Sequence, residues 1–149
     1  MPADRDRRPR LIVIGGGFAG LWAVRALARA SLDIVLIDRC NHHLFQPLLY
    51  QVATAGLSAP AIAAPLRHIL RRQANATVLM ADVSAIDCGA RRVRCSDGAT
   101  LDYDYLLVAS GATHAYFGHP EWAAFAPGLK TLNDAMAIRG RILGAFEQA

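Results

Sequence analysis

The stretch Leu11-Ile-Val-Ile-Gly-Gly-Gly-Phe-Ala-Gly20 decides the fold of this chain. Its first four residues form a continuously apolar run, which is typical of a buried strand in a parallel sheet. The glycines that follow fit the pattern Gly-x-Gly-x-x-Gly, with Gly15, Gly17 and Gly20 at the three fixed positions. Apolar residues then recur at helical spacing up to Ala30. This stretch therefore predicts a strand, a glycine turn and a helix in succession.

A second apolar run, Asp33–Asp38, predicts the next buried strand. Strand, turn, helix and strand in this order make a βαβ unit, in which the two strands are parallel. A further apolar strand, Tyr105–Ser110, ends on Gly111. We therefore predict an α/β fold, namely a Rossmann-like domain. One parallel sheet is expected to hold Leu11–Ile14, Ile34–Ile37 and Leu106–Val108.

The three glycines predict a site for a dinucleotide. Gly15 permits the tight turn, Gly17 lets a pyrophosphate approach the backbone, and Gly20 lets the helix pack closely on the sheet. The helix N-terminus would offer N–H groups and partial positive charge to the phosphates. Asp38 ends the second strand and can accept hydrogen bonds from ribose hydroxyls. The alternative is a glycine turn that only links strand to helix, but the spacing to Asp38 favours dinucleotide binding.

Two features favour FAD over NAD as the dinucleotide. About twenty residues after Asp38 lack a clear helical or strand pattern, whereas an NAD dehydrogenase usually enters its next helix within a few residues. In addition, an antiparallel meander from about Val83 to Leu101 is predicted between the parallel strands. The segment Val108–Ala112 after it combines small residues with glycine, which allows the backbone to approach a cofactor closely.

The remaining elements are predicted from local signals. Ser58 is expected to cap a helix that runs to about Gln73, with Pro60 in its first turn. Thr77–Asp87 is expected to be one strand and RRVRC (residues 91–95) the next, with turns near Gly89 and at Asp97-Gly98. Thr131 and Asp134 predict a capping box at the start of a last helix. Its apolar stripe is expected to comprise Leu132, Ala135, Met136, Ile142, Leu143 and Phe146.

Composition and charge exclude several classes of protein. The 149 residues are 54% apolar and carry a net charge of +4, which is typical of a globular domain. Residues 1–9 are predicted to be a basic disordered tail; weak attraction to anionic lipid or nucleic acid is the alternative. No aromatic residues alternate with its arginines, so we expect no nucleic-acid partner. No apolar run is long enough to predict a transmembrane helix.

The histidines and cysteines do not form a recognisable centre. His42 and His43 are adjacent and therefore point in different directions, with no carboxylate partner placed nearby, so no metal site is predicted. Cys40 has no second cysteine close to it, which argues against disulfide reductase chemistry. An odd number of cysteines favours free thiols. No catalytic acid or base can be named from the sequence.

Three segments carry a resemblance to a known family: GGGFAGLWAVRALA (residues 15–28), IDRCNHHLFQPLLYQVATAGLSAPAIAAPLRHILRR (37–72) and LDYDYLLVASGATHAYFGH (101–119). They resemble the type II NADH:quinone oxidoreductases, which belong to the flavoproteins with two dinucleotide-binding domains. The resemblance implies that residues 10–149 are the N-terminal part of the FAD/NAD(P)-binding domain, truncated before the NADH-binding domain. On this interpretation the Rossmann-like FAD-binding domain is incomplete.

The resemblance also implies roles for individual residues. The glycine turn would hold the FAD pyrophosphate, Asp38 the ribose, and the backbone of Val83 the adenine, while Gln46–Gln51 would lie by the flavin. The family's Ala-Thr-Gly motif matches residues 109–111, where Ser110 retains a small hydroxyl side chain. The implied cofactor-binding positions are Gly15, Gly16, Gly17, Phe18, Ala19, Gly20, Asp38, Arg39, His42, Gln46, Leu49, Val83, Ala109, Ser110 and Gly111.

The activity implied by the resemblance is FAD-dependent, non-proton-pumping transfer of electrons from NADH to a membrane quinone in a respiratory chain. Complete members are expected to be cytoplasmic and peripheral on the inner membrane, with membrane contact only through C-terminal segments that this sequence lacks. The sequence has one glycine fingerprint and none for NADH, so we expect no turnover from these 149 residues alone. The alternatives are a stand-alone FAD- or ADP-binding module, and a small NAD-dependent dehydrogenase, which the missing catalytic residues disfavour.

Overall fold

The computed structural model describes residues 7–149, which fall into two compact units. Unit 1 comprises the residues up to His43 together with Pro65–Gly111, and unit 2 comprises Leu44–Ala64 together with Ala112–Ala149. Residues 1–6 of the predicted tail lie outside the described residues. Within the remainder of that tail, the guanidinium of Arg7 donates to the carboxylate of Asp104 at 2.9 Å.

The elements of the chain are as follows. The strands are β1 (Arg10–Ile14), β2 (Asp33–Asp38), β3 (His42–Leu44), β4 (Ala63–Pro65), β5 (Ala76–Met80), β6 (Val83–Asp87), β7 (Arg92–Cys95), β8 (Thr100–Asp102) and β9 (Tyr105–Val108). The helices are α1 (Phe18–Ala26), α2 (Leu49–Ala53), α3 (Leu66–Ile69) and α4 (Leu132–Glu147). Short 3₁₀ turns cover Gln46–Leu48, Ala59–Ala61 and Pro120–Ala124.

Unit 1 is built on a parallel sheet with the strand order β5-β2-β1-β9. Val35 of β2 and Leu106 of β9 lie beside Ile12 of β1, so the predicted parallel sheet is confirmed. One face of the sheet packs against α1 and α3, and the other packs against Val93 of β7. Because both faces are covered, the central strands are apolar on both sides, as the sequence showed.

The predicted meander is also confirmed. Strands β6, β7 and β8 form a three-stranded antiparallel sheet between β5 and β9 in the sequence. Gly98 has φ +88° in the hairpin turn that was predicted at Asp97-Gly98. The prediction of one strand over Thr77–Asp87 is wrong, because the chain leaves the parallel sheet after Met80 and begins β6 at Val83.

Two helix predictions were too long. Helix α1 ends at Ala26 rather than Ala30, and the side chain of Asn75 donates to the carbonyls of Leu27 and Ala30 in the turns that follow. The predicted helix from Ser58 to Gln73 is wrong, because the chain forms a 3₁₀ turn, strand β4 and the four-residue helix α3. Pro65 explains the break, since proline lacks the N–H that a helix interior requires and clashes with the preceding turn.

Unit 2 contains α2 and α4 around a small apolar cluster of Leu49, Val52, Ala53, Ile62 and Ala135. The capping box of α4 is confirmed, because the Thr131 side chain accepts from the Asp134 N–H and the Asp134 carboxylate accepts from the Thr131 N–H. Only part of the predicted stripe on α4 is buried: Ala135 is inside, whereas Phe146 is 78% exposed.

The segment after Asp38 was predicted to be irregular, but it contains β3, α2 and two 3₁₀ turns.

No helix among residues 7–149 is both long enough and apolar enough to cross a lipid bilayer.

Candidate functional site

Two glycines of the turn between β1 and α1, Gly15 and Gly20, are packed directly against backbone atoms. The N–H of Gly15 donates to the carbonyl of Ile37 at 2.7 Å, and Gly15 has φ +102°, a conformation that favours glycine. A Cβ atom on Gly15 would collide with the carbonyl oxygen of Ala109. A Cβ atom on Gly20 would collide with the carbonyl oxygen of Gly15. The turn and the first residues of α1 are therefore packed closely enough to exclude side chains at these two positions.

Gly17 is in a different environment. It is the N-cap residue of α1, it is exposed, and a Cβ atom placed on it would meet no atom within 4 Å. Its φ of −69° is one that any residue can adopt. The space beside Gly17 is therefore open at the N-terminal end of a nine-residue helix. Helix N-termini present N–H groups that have no intrahelical acceptor, so this is a position at which a phosphate group can bind.

The carboxylate of Asp38 joins the end of β2 to the glycine turn. One carboxylate oxygen accepts the N–H of Gly16 at 2.6 Å, and the other accepts the N–H of Cys40 at 2.7 Å. Each carboxylate oxygen has two lone pairs, so both retain capacity for a ribose hydroxyl. The sequence pattern predicts a ligand-binding role for Asp38, whereas its contact with the glycine turn is seen only in the structure.

His43 contacts the same turn at the carbonyl group of Gly16. Its Nδ1 lies 3.1 Å from the carbonyl oxygen of Gly16, and its ring makes an edge-to-face contact with Phe18 at a centroid separation of 5.0 Å. Among the described residues no group of three histidine, cysteine or acidic side chains is arranged to hold a metal ion. The structure thus gives His43 a partner that the sequence did not predict.

Ala109–Gly111, after β9, lie next to the glycine turn. The N–H of Ala109 donates to the carbonyl of Ile14 at 2.8 Å, which continues the pairing of β1 with β9. Ser110 and Gly111 follow and are exposed, and Gly111 has φ +74°. The three residues that match the Ala-Thr-Gly motif are therefore at the carboxyl edge of the parallel sheet. Ligands of open α/β sheets bind outside this edge.

The other predicted residues are dispersed. Phe18 and Ala19 are exposed in the first turn of α1, Arg39 is exposed after β2, and His42 is half-buried in β3. Val83 is half-buried at the start of β6 and packs on the cluster around Ile12.

Two predicted positions belong to unit 2. Gln46 is half-buried in a 3₁₀ turn, whereas Leu49 is 1% exposed within the apolar cluster of that unit.

Asn41 has no predicted role, but it lies close to the end of β2. Its backbone carbonyl accepts the N–H of Leu66, but its side-chain oxygen is buried and has no hydrogen-bond partner. An unsatisfied buried acceptor is unfavourable by roughly 1–3 kcal/mol. Asn41 follows Asp38 by three residues, so a donor group supplied by a ligand near the end of β2 could satisfy it.

The cysteines are all free: Cys40 is half-buried, Cys88 exposed and Cys95 buried. Burial raises the pKa of the Cys95 thiol above its usual range. The negative charges of Asp97 and Asp82 raise it further, by a smaller amount. A raised pKa keeps the thiol protonated at neutral pH, which makes it a poor nucleophile.

Comparison with known proteins identifies the family of this chain. Residues 9–144 match the pyridine nucleotide-disulphide oxidoreductase family. The chain is 55% identical over 151 residues to the type II NADH:quinone oxidoreductase NdhA of Mycobacterium tuberculosis, and 51% identical over 150 residues to Ndh of the same organism. Each alignment covers 99% of this chain and 32% of the relative, so the chain spans about a third of their length.

A solved structure shows the same similarity in three dimensions. NDH2 from Plasmodium falciparum in complex with NADH superposes with a TM-score of 0.86 at 25% sequence identity, over 95% of this chain and 30% of that one. The resemblance stated from the sequence motifs is therefore confirmed, as is the predicted Rossmann-like fold class.

Proposed function

The chain belongs to the pyridine nucleotide-disulphide oxidoreductase family, and from this premise we propose that its glycine turn binds the pyrophosphate of FAD. FAD is the flavin cofactor of this family. Asp38 would accept hydrogen bonds from the adenosine ribose, and the backbone of Val83 would contact the adenine. Arg39, His42, Ser110 and Gly111 would also contact the cofactor, and for Gln46 and Leu49 of unit 2 the cofactor-binding role stays a prediction.

One observation carries this proposal: the open N-terminus of α1 at Gly17, placed next to an acidic residue at the end of β2. Gly15 and Gly20 exclude side chains because backbone atoms occupy the space, whereas Gly17 has a free volume beside it. A glycine that is not required by packing or by φ is explained if a ligand approaches that position. The buried, unpartnered oxygen of Asn41 supports a ligand with donor groups nearby.

For the whole protein we propose the activity of a type II NADH:quinone oxidoreductase. When bound, FAD would supply the redox chemistry between NADH and a quinone. The residues described above would bind and orient the adenosine and pyrophosphate portion of the cofactor. Residues 10–149 would form the N-terminal part of the FAD/NAD(P)-binding domain, with the NADH and quinone sites in other parts of the protein.

We further propose that the whole protein is cytoplasmic, is bound peripherally to the inner membrane, and takes part in a respiratory chain. The names of the relatives support the quinone as a substrate, and quinones are membrane-soluble. Contact with the membrane would be made through segments outside these 149 residues.

The sharpest test replaces Gly17 with a branched residue. Gly17→Val should leave folding intact, because its Cβ meets open space, but should lower FAD affinity at least tenfold by filling the volume needed by the pyrophosphate. FAD fluorescence titration measures the affinity, and circular dichroism measures folding. Gly140→Val is the matched control, since Gly140 also has nothing within 4 Å and lies on α4. Equal FAD affinity in the wild type and Gly17→Val would contradict this assignment.

Asp38→Ala provides a second test of the adenosine half. We expect ADP binding to weaken by about 1–3 kcal/mol, the range for losing hydrogen bonds to a charged acceptor. Because Asp38 also accepts the Gly16 N–H, part of this loss would come from a loosened turn. Calorimetry with ADP measures the effect, and equal affinities in the two proteins would reduce Asp38 to a turn residue.

The alternative function, FAD or ADP binding without turnover, is distinguished by an NADH oxidation assay. Hydride transfer requires nicotinamide and flavin in near-attack contact, and the sequence has one dinucleotide fingerprint. We expect the purified chain with excess FAD and a water-soluble quinone to oxidise NADH no faster than free FAD alone. Saturable oxidation well above that control, abolished by Gly17→Val, would show that these residues suffice for catalysis.

A further inference from the structure

His43 controls the orientation of one peptide in the glycine turn. Its Nδ1 is 3.1 Å from the carbonyl oxygen of Gly16. A carbonyl oxygen can only accept a hydrogen bond, so Nδ1 must carry the proton and donate it. The edge-to-face contact of the imidazole ring with Phe18 restricts the rotation of the ring. The donor is therefore held in place by a residue of α1.

The Gly16 carbonyl belongs to the same peptide group as the Gly17 N–H. Peptide groups are planar, and none among residues 7–149 is cis, so the N–H of Gly17 points opposite to the carbonyl of Gly16. A bond that directs the carbonyl towards His43 therefore directs the Gly17 N–H away from it. That N–H lies at the open N-terminus of α1, where Gly17 has no neighbouring atoms around its Cβ position.

This peptide needs such a restraint because glycines lie on both sides of it. Glycine has no Cβ atom and populates positive and negative φ almost equally, so a peptide between two glycines can rotate at low energetic cost. The N–H of Gly16 is held by Asp38 at 2.6 Å, which fixes the preceding peptide. His43 fixes the next one, so the two side chains together determine the directions of successive N–H groups.

We propose that His43 is a positioning residue for the FAD pyrophosphate, acting through the Gly16–Gly17 peptide. The inference rests on the proposed function, because it assumes that the pyrophosphate binds at the N-terminus of α1. His43 would not touch the cofactor itself. It lowers the conformational entropy that is lost on binding, because the Gly17 N–H already points in the direction that the phosphate requires before the ligand arrives.

Two substitutions separate the hydrogen bond from the packing of the ring. His43→Phe keeps a planar ring that can contact Phe18 but removes the donor, and we expect a three- to tenfold loss of FAD affinity. His43→Asn places an amide N–H close to the position of Nδ1, so it should recover most of that loss. His68→Phe is the matched control because His68 is exposed on α3. FAD fluorescence titration and the melting temperature of each ligand-free protein are the measurements.

The outcomes distinguish this inference from the proposed function. Absence of FAD binding by the wild-type protein with its complete FAD-binding domain would contradict the proposed function. Wild-type affinity in His43→Phe, or a loss in His43→Asn as large as that in His43→Phe, would overturn the role of His43 alone.

A measurement on the wild type avoids any folding defect of the variants. Nitrogen-15 chemical shifts at pH 8 report which nitrogen of neutral His43 carries the proton. The Nδ1–H form is expected, and a predominant Nε2–H form would overturn the inference.

Discussion

Unit 1 and unit 2 differ in how completely they cover their apolar side chains. In unit 1, Ile12, Ile34 and Leu36 are fully buried, because helices cover one face of the parallel sheet and the meander covers the other. In unit 2, Phe117 and Phe125 are each 88% exposed. The candidate pyrophosphate site is therefore built on the better-packed unit, which suits a site that must hold backbone N–H groups in fixed directions.

The difference also predicts where the stability of the chain resides. Burial of apolar surface stabilises a fold in proportion to the area removed from water, and an exposed phenyl ring contributes little. Unit 1 has buried clusters on both sides of its sheet, whereas unit 2 has one cluster in which alanine supplies two of five buried residues. We expect unit 1 to be the more resistant to unfolding.

The largest effect is expected from a substitution in the core of unit 1. Leu36→Ala should destabilise the chain by about 2–5 kcal/mol, because it leaves a cavity between β2 and the helices. Leu143→Ala on α4 is the matched control, and it should cost less than about 1 kcal/mol because Leu143 is 42% exposed. Urea denaturation followed by circular dichroism measures both. Similar losses in the two variants would contradict the proposed difference between the units.

The same difference explains how much of the fold could be predicted from the sequence. In unit 1 the strands at Ile12, Ile37 and Leu106 could be predicted because a strand covered on both faces is continuously apolar. The hairpin at Asp97-Gly98 could be predicted because it depends on local turn chemistry. The break between Met80 and Val83 could not, because the residues on both sides favour strands and only tertiary packing separates the parallel sheet from the meander.

In unit 2 the local signals were less decisive. Thr131 and Asp134 predicted the start of α4 correctly, since a capping box is a contact between near neighbours in sequence. The region from Leu44 to Ala64 has alanine, proline and leucine without a clear period, and its short elements could not be predicted. Pro65 carried a usable signal against the long predicted helix, because proline is rarely found inside one.

The candidate site was predictable in its types of residue but not in its contacts. Glycine spacing and Asp38 identified the turn and the strand end. The hydrogen bond from the Gly16 N–H to Asp38 depends on how the end of β2 lies beside the turn, and the one from His43 to the Gly16 carbonyl depends on where β3 returns after β2. No local pattern specifies either contact. Asn41 was missed because an unsatisfied acceptor is defined by its surroundings, not by its position in the sequence.

A medium effect is expected from the capping box of α4. Thr131→Ala removes the side chain that accepts the Asp134 N–H, and should destabilise α4 by about 1 kcal/mol. Hydrogen exchange of α4 amides is the measurement, because it reports local opening of unit 2. Thr131→Ser retains the hydroxyl and should restore protection. If exchange in β1 and β2 accelerated as much as in α4, the two units would unfold as one and the comparison would fail.

The smallest effect concerns the acid sensitivity of unit 1, which depends on Asp104. The N–H of Arg10 donates to this carboxylate at 2.6 Å and, together with the charge of the Arg7 guanidinium, holds the pKa of Asp104 below its usual value despite partial desolvation. A lowered pKa in the folded state stabilises the fold above the unfolded-state pKa, and this contribution is lost as pH falls through the folded-state pKa. Asp104→Asn should therefore be less stable than the wild type at pH 7, by no more than about 1 kcal/mol because the pair with Arg7 is partly exposed.

The expected signature of Asp104 is a difference that depends on pH. The gap in unfolding free energy between the wild type and Asp104→Asn should be constant from pH 7 to about 5, and should close as the carboxylate protonates near and below pH 4. High salt should reduce the part due to Arg7, since screening weakens an exposed ion pair but leaves the hydrogen bond from the Arg10 N–H. Urea titrations at pH 7 and pH 2.5, with and without 1 M salt, measure these terms. A gap of the same size at both pH values would show that the negative charge of Asp104 does not stabilise unit 1.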